Sequence, residues 1–170
     1  MKNLLLCIAI FSYTFGNSQS SVNLTVHHDA KLLLIGDNKG NNPITVNLLL
    51  KAEFPVKEYS SSTLFVYPVI EYADLIGGNY QRYGAGVGYN IHNLFRNFDI
   101  GASADYGKLK RGGYYDGLSF NVNGEIAYRI NNRIAVSYVY QVGQRPDLKA
   151  LYNSKTKFIG SGFIGIKLTL

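Results

Sequence analysis

The sequence lacks the residues that most often cross-link or anchor an exported chain. It has one cysteine, Cys7, within its first segment, no tryptophan, and no apolar run of the roughly 20 residues that a membrane-spanning helix needs. If that first segment is removed, disulfides are excluded and packing has to stabilise the fold. The 17 basic residues exceed the 11 acidic ones but form no long run. This argues against a dedicated nucleic-acid-binding surface, so we expect no nucleic acid partner.

The first segment, MKNLLLCIAIFSYTFGNSQS, has the features of a secretory signal peptide. Lys2 supplies a positive charge, an apolar stretch runs from Leu4 to Phe15, and small residues follow it. We predict cleavage after Ser18, which leaves Gln19 as the first residue of an exported chain. The predicted division is residues 1–18 for the signal peptide and residues 19–170 for a single domain.

Period-two alternation of apolar and polar residues dominates the rest of the chain. It is longest in LSFNVNGEIAYRINNRIAVSYVYQV, Leu118 to Val142, which predicts two strands joined by a tight hairpin at Asn131-Asn132. The 14 Tyr, 9 Phe and 18 Gly agree with an all-β protein. The predicted strands cover residues 22–34, 43–54, 63–73, 80–91, 98–107, 117–130, 133–142 and 156–170.

The polar face of these strands indicates which side meets water. It combines Arg82, Asp99 and Asp105 with small residues such as Gly86 and Ser103. A solvated face has no need of glycine, whereas the narrow lumen of an eight-stranded barrel does. Acids and bases on the polar face are nearly balanced, as ions confined in a lumen require. We therefore predict an all-β, eight-stranded antiparallel up-and-down transmembrane β-barrel with its apolar rows facing lipid.

The lumen of a barrel of eight strands is just wide enough for its side chains. We therefore expect the polar residues to plug it, and we do not expect a general diffusion pore. The bases Lys31, Arg133 and Lys167 share the polar rows. The residues predicted to form the lumen polar network are His27, Asp29, Lys51, Glu53, Glu71, Arg82, Asp99, Asp105, Glu125, Arg129 and Lys157.

The leader, the eight alternating strands and a last strand that runs to Leu170 make the chain similar to the small OmpA/OmpX-type outer-membrane barrels. The junction GNSQS resembles the leaders of Bacteroidota-type exported proteins. The resemblance implies the outer membrane of a Gram-negative bacterium, insertion by the barrel-assembly machinery, a monomer, and a structural or surface-interaction role. Without tryptophan, the interfacial girdle would consist of Tyr72, Tyr83, Tyr89, Tyr106, Tyr128, Tyr138, Tyr140 and Phe98.

Three alternatives remain open at this point. A secreted β-sandwich or a lipocalin-like soluble barrel would also alternate, with its apolar face inside. Some barrels of this size are lipid A deacylases or palmitoyl transferases, which use His with Ser and a carboxylate. Here His27 faces the lumen beside Asp29, and His92 lies in a predicted periplasmic turn. His27 and His28 point to opposite faces and cannot share a metal ion. We expect no catalytic residue, no cofactor and no metal.

Two of the connections predicted to face outward carry basic residues and tyrosines. Basic residues level with lipid headgroups pair with phosphates, so we predict contact with outer-membrane lipid and with lipopolysaccharide. The predicted contacts are Lys108, Lys110 and Arg111 in KLKRGGYYDG and Lys149 in GQRPDLKALYNSK.

Overall fold

The computed structural model describes residues 21–155 and 158–170, which form one closed antiparallel barrel of eight strands. Each strand pairs with the next, and β8 closes the barrel against β1. The predicted fold is confirmed. The predicted signal peptide and Lys157 lie outside the described residues. The elements are β1 (Asn23–Asp29), α1 (Ala30–Leu34), β2 (Asn47–Glu58), β3 (Ser62–Ala73), β4 (Tyr80–Phe95), β5 (Phe98–Arg111), β6 (Tyr115–Arg129), β7 (Ile134–Gln144), α2 (Pro146–Tyr152) and β8 (Phe158–Thr169).

The apolar rows point away from the barrel axis. In β6, Val122 is 48% exposed, while its neighbours Asn121 and Asn123 are each 2% exposed. A side chain inside a closed barrel is shielded, so the polar row lies in the lumen and the apolar row on the outer wall. Seven of the eight residues predicted for the aromatic girdle are 39–55% exposed, and Tyr72 is partly buried. The sandwich and lipocalin-like alternatives are wrong, because a single closed sheet carries its apolar side chains outward.

Aromatic rings occupy the lumen opposite glycines. Phe65 pairs with Gly88, and Tyr67 pairs with Gly86, across the ladder between β3 and β4. A Cβ atom at either glycine would overlap the ring of its partner. The glycines therefore leave room for large side chains in a narrow lumen, which is the crowding that the composition of the polar face indicates.

β1 is shorter than predicted, because Asp29 ends it. The Asp29 carboxylate accepts a hydrogen bond of 2.8 Å from the Leu32 amide and so caps α1. Residues 30–34, predicted as strand, therefore form a helix in which Leu32 is buried and Leu34 is exposed. Lys31 is exposed in this helix and does not belong to the lumen row. Among the described residues, no helix is both long enough and apolar enough to cross a membrane.

β4 is longer than predicted. It continues to Phe95 and does not end at Ile91, and its pairing with β5 shifts register between these two residues. His92, predicted to lie in a turn, therefore lies in a strand beside this irregularity. The cause is local: Asn93 has a φ of 53°, in the left-handed region that asparagine tolerates better than most residues.

The turn between β6 and β7 is wider than the predicted Asn131-Asn132 pair. β6 ends at Arg129 and β7 begins at Ile134. The Asn131 side-chain oxygen accepts hydrogen bonds from the amides of Arg133 and Ile134, at 2.8 and 2.9 Å. These side-chain bonds add to the backbone bonds from the Ile130 and Asn131 amides to the Ile134 carbonyl, at 2.9 and 3.2 Å. Arg133 is exposed in this turn and lies outside the lumen row.

The connections fall alternately at the two ends of the barrel. The β1–β2, β3–β4, β5–β6 and β7–β8 connections share one end, which we call the loop end. The other three connections lie at the opposite end with the start of β1 and the end of β8, and we call it the terminal end. The two longest connections carry α1 and α2, both at the loop end.

Candidate functional site in the barrel lumen

Arg82 of β4 lies between two acids inside the barrel, near the loop end. Its Nε atom lies 3.2 Å from Glu71 Oε2, and its Nη1 atom contacts Asp105. Glu71 is the direct cross-strand partner of Arg82 and also accepts a hydrogen bond of 3.2 Å from the Tyr80 hydroxyl. The three charged side chains are at most 5% exposed. A guanidinium out of water needs such partners, so Arg82, Glu71 and Asp105 form one unit, the Arg82 network.

A second ionic group lies nearer the terminal end. Lys167 Nζ lies 2.7 Å from Glu125 Oε1 and 3.1 Å from Glu53 Oε2, and Lys51 Nζ lies 3.6 Å from Glu125 Oε2. These four side chains, the Lys167 network, are at most 11% exposed. The predicted network included Lys157 but not Lys167, although the alternation of the last strand places Lys167 on the polar row.

An apolar cluster fills the lumen beside the two networks, and the prediction did not include it. Tyr67 touches both networks: its ring centroid lies 5.5 Å from Lys51 Nζ, and its hydroxyl donates to Asp105 at 3.1 Å. Asn123 Nδ2 donates to the same Asp105 oxygen at 2.9 Å. The sequence signal was the polar row of β3, where Phe65, Tyr67 and Val69 precede Glu71. The cluster comprises Leu49, Phe65, Tyr67, Val69, Val139 and Phe163, each at most 3% exposed.

His27 contacts a serine inside the closed part of the lumen. Its Nε2 atom lies 2.7 Å from Ser137 Oγ, and both residues are at most 2% exposed. His27 Nδ1 has no hydrogen-bond partner among the described residues, and Asp29 caps α1. Nucleophilic catalysis needs a base oriented by a third group and a path for substrate. This pair has neither, so it gives no support to a lipid-modifying site.

An open cavity of about 350 Å³ lies at the terminal end. Asp99 and Arg129, two residues of the predicted network, line it, with Arg129 Nη2 3.1 Å from Asp99 Oδ1. Their side chains are 17% and 34% exposed, so this pair is wetter than either network. Lys167 lines the same cavity, as do Thr63 and His92, which the sequence reasoning did not select. The predicted residues are therefore divided among the closed Arg82 network, the Lys167 network, which borders the cavity, and the open pair of Arg129 and Asp99.

The loop end is covered by the start of α2. Arg145 donates from Nε and Nη2 to Asp147 at 2.9 and 2.8 Å, and its guanidinium lies 4.4 Å from the ring centroid of Tyr80. Burial opposes the charge on Arg145, but Asp147 and Tyr80 outweigh it and raise the pKa of Arg145 above its ordinary value. Lys39 of the β1–β2 connection has a lowered pKa, first because of burial and then because Arg145 is near. The cations Lys39 and Arg145 therefore lie near each other at this end, and Asp147 pairs with Arg145.

The four predicted lipopolysaccharide contacts do not share one surface. Lys108 lies 2.9 Å from Asp116, and Lys110 and Lys149 are exposed at the loop end. Arg111 differs from the expectation: it is 2% exposed and lies on the lumen row of β5, and its Nε and Nη1 atoms have no hydrogen-bond partner among the described residues. Period two explains this, because Arg111 directly follows the outward-facing Lys110.

The comparisons with known proteins show the fold. No family model matches the sequence, and no curated protein matches it. The outer membrane protein Ail of Yersinia pestis, in a phospholipid bilayer nanodisc, matches with a TM-score of 0.57 and 9% sequence identity, over 89% of this chain and 100% of that chain. The crystal structure of Ail, the attachment invasion locus protein of the same organism, gives a TM-score of 0.48 and 11% identity, over 89% and 97% of the two chains. At these identities the likeness extends to architecture alone: this chain has the closed eight-stranded barrel fold seen in Ail.

Proposed function

We propose that the protein is an outer-membrane β-barrel with a structural or surface-interaction role, and that its lumen is plugged by side chains. The outer wall supports the membrane location, because rows of exposed Val, Ile, Leu and Tyr encircle the barrel and would be costly in water. A small OmpA/OmpX-like, Bacteroidota-type barrel of a Gram-negative cell fits this description. Closure of β1 on β8 pairs both terminal strands, which favours a monomer once the barrel-assembly machinery has inserted it.

The observation that carries the plugged lumen is the packing of ionic and apolar side chains across it. The Arg82 network is closed to solvent, the side chains of the Lys167 network are at most 11% exposed, and Tyr67 joins the two through Asp105 and Lys51. Phe163 and Val139 are fully buried beside them. An ion that entered would have to separate buried pairs or cross an apolar layer, and both are unfavourable.

Conductance of refolded protein in planar bilayers tests the plug. The wild-type protein is expected to show no steady diffusion-pore conductance. Shortening lumen side chains in Phe163→Ala with Val139→Ala is expected to raise ion leakage, because it empties part of the apolar cluster. Ile164→Ala removes an exposed side chain of the outer wall and is expected to leave leakage unchanged. A steady wild-type conductance comparable to that of a general porin would contradict the plug.

The membrane location has its own test. After fractionation of cells that express the full chain, the protein is expected in the outer-membrane fraction, with a different gel mobility before and after boiling. Recovery in the soluble exported fraction, with one mobility, would contradict the proposal.

We further propose that exposed Lys110 and Lys149 contact phosphates of lipopolysaccharide. Lys110→Ala with Lys149→Ala is expected to reduce the lipopolysaccharide that co-purifies with the protein. Arg133→Ala is the matched control, since it removes an exposed charge at the terminal end. Equal amounts of co-purified lipopolysaccharide for the wild type, the double variant and Arg133→Ala would overturn this contact.

A further inference from the structure

The described lumen contains a second pairing of a hydroxyl with an imidazole, and it differs from the first in two ways. Ser137 and His27 are buried, and His27 Nδ1 has no hydrogen-bond partner in the part of the chain that the structure describes. Thr63 and His92 line the open cavity at the terminal end, and the second ring nitrogen of His92 faces a carboxylate. Nucleophilic catalysis needs an oriented base and a path for substrate. The pair of Thr63 and His92 has both, and the pair of Ser137 and His27 has neither.

The second pair has the geometry of a hydroxyl–imidazole–carboxylate relay. Thr63 Oγ1 lies 2.9 Å from His92 Nε2, and His92 Nδ1 lies 3.3 Å from Asp99 Oδ2. A neutral ring with its proton on Nδ1 donates to Asp99 and leaves Nε2 as an acceptor for the Thr63 hydroxyl. Asp99 is fixed from its other oxygen by the Asn93 amide at 2.9 Å and by Arg129 Nη2 at 3.1 Å. The carboxylate therefore orients the base, and the base faces the hydroxyl.

The regular pairing of β4 with both of its neighbours produces this arrangement. Ile91 pairs with Ile100 of β5, so the next residue, His92, lies opposite Asp99, and the register shift follows before Phe95. The His92 amide bonds to the Ser61 carbonyl at 2.8 Å, which continues the pairing with β3. Period two places His92 on the lumen row of Asn90, and its ring contacts Thr63 of one neighbouring strand and Asp99 of the other.

The cavity supplies space and a donor for developing charge. Its volume of about 350 Å³ lies at the lower end of the range of small-molecule sites, roughly 300–1,000 Å³. Asn90 is the direct cross-strand partner of Thr63, lines the same cavity and is 5% exposed. A side-chain amide beside the nucleophile is one of the groups that stabilise the oxyanion of acyl transfer.

We propose that Thr63, His92 and Asp99 form a hydrolytic site for small carboxylic esters that enter the barrel from its terminal end. Thr63 Oγ attacks the ester carbonyl while its proton passes to His92 Nε2, and that proton then leaves with the alcohol as the ester bond breaks. Water, deprotonated by His92, hydrolyses the acyl–threonine bond and restores the hydroxyl. Thr63 and His92 are the catalytic residues, and Asp99 is a positioning residue. The activity is separate from the surface role and does not require it.

The test uses the full chain refolded in detergent. The probes are 4-nitrophenyl acetate and butyrate for turnover, and a fluorophosphonate that bonds to an activated hydroxyl as fluoride leaves. The wild-type protein is expected to hydrolyse both esters and to gain one label at Thr63, located by mass spectrometry. Thr63→Val is expected to lower turnover about 100-fold or more and to abolish labelling, while Thr63→Ser retains both. Asp99→Asn is expected to lower kcat with little change in KM.

Thr45→Val is the matched control. Thr45 lies in the β1–β2 connection at the loop end, and its hydroxyl donates to the Asn42 carbonyl at 2.6 Å, so turnover and labelling should match the wild type. Gel mobility before and after boiling reports whether each variant is folded, and His92→Gln provides a second loss-of-function variant if Thr63→Val does not fold. Absence of labelling and turnover in the wild type, or equal labelling of Thr63→Val, would overturn the proposal.

Discussion

The two ends of the lumen hold their ions in different ways. Near the loop end, the side chains of Arg82, Glu71 and Asp105 are at most 5% exposed, and Arg82 contacts both acids. At the terminal end, Arg129 is 34% exposed and faces a cavity that is open to water. A cavity lets water solvate an ion that loses its partner, whereas a closed lumen does not. The difference implies that removing a cation will lower the free energy of unfolding strongly at the loop end and only slightly at the terminal end.

The largest effect is expected from Arg82→Met, which retains bulk but removes the charge. Glu71 and Asp105 would then be buried side by side without a cation, at a cost of about 3–5 kcal/mol in the free energy of unfolding. Denaturant unfolding of the protein refolded in lipid vesicles measures this loss. Adding Glu71→Gln and Asp105→Asn to Arg82→Met removes the unpaired charges and is expected to recover part of the stability. A loss below about 1 kcal/mol for the single variant would show that the loop end is as wet as the terminal end.

Lys167→Met is expected to have an intermediate effect. It leaves Glu53 and Glu125 without their shared cation, but Lys51 remains 3.6 Å from Glu125. Lys167 is also 11% exposed and lines the cavity, so water reaches part of this network. The expected loss is about 2 kcal/mol, measured by the same unfolding experiment. A loss as large as that of Arg82→Met would mean that the cavity does not hydrate the Lys167 network.

Alternation was sufficient to predict the faces of the long strands. β6 follows its predicted pattern because a spanning strand has one lipid face and one lumen face, and a slip of one residue would exchange them. The same rule identified Arg82, Glu71 and Asp105 as lumen residues. It did not reveal which ions pair, because the partners come from different strands whose stagger around the barrel is set by closure.

Local side-chain chemistry explains where the predictions were wrong. Asp29 was expected to continue a strand, but its carboxylate caps a helix, and a side-chain bond to the backbone outweighs alternation there. The predicted turn at His92 is wrong because β4 continues past Ile91, and the pairing of Ile91 with Ile100 sets His92 opposite Asp99. The irregularity that follows includes Asn93, whose positive φ leaves no sign in the hydrophobic pattern. The apolar cluster around Tyr67 has a signal in the sequence, because Phe65, Tyr67 and Val69 lie on the polar row of β3. The prediction omitted it because it assumed an entirely polar lumen.

Arg129→Gln is expected to have the smallest effect on the free energy of unfolding. It tests whether the terminal end behaves as a solvated surface. Arg129 pairs with Asp99 at 3.1 Å, but the arginine is one-third exposed, and the Asn93 amide and His92 still reach the Asp99 carboxylate in the variant. Exposed pairs of this kind contribute about 0–1 kcal/mol, so the free energy of unfolding should change by less than about 1 kcal/mol. Raised salt should narrow that difference further, since ions screen a pair that water already reaches. A salt-independent loss above about 2 kcal/mol would place Arg129 with Arg82, in a lumen closed at both ends.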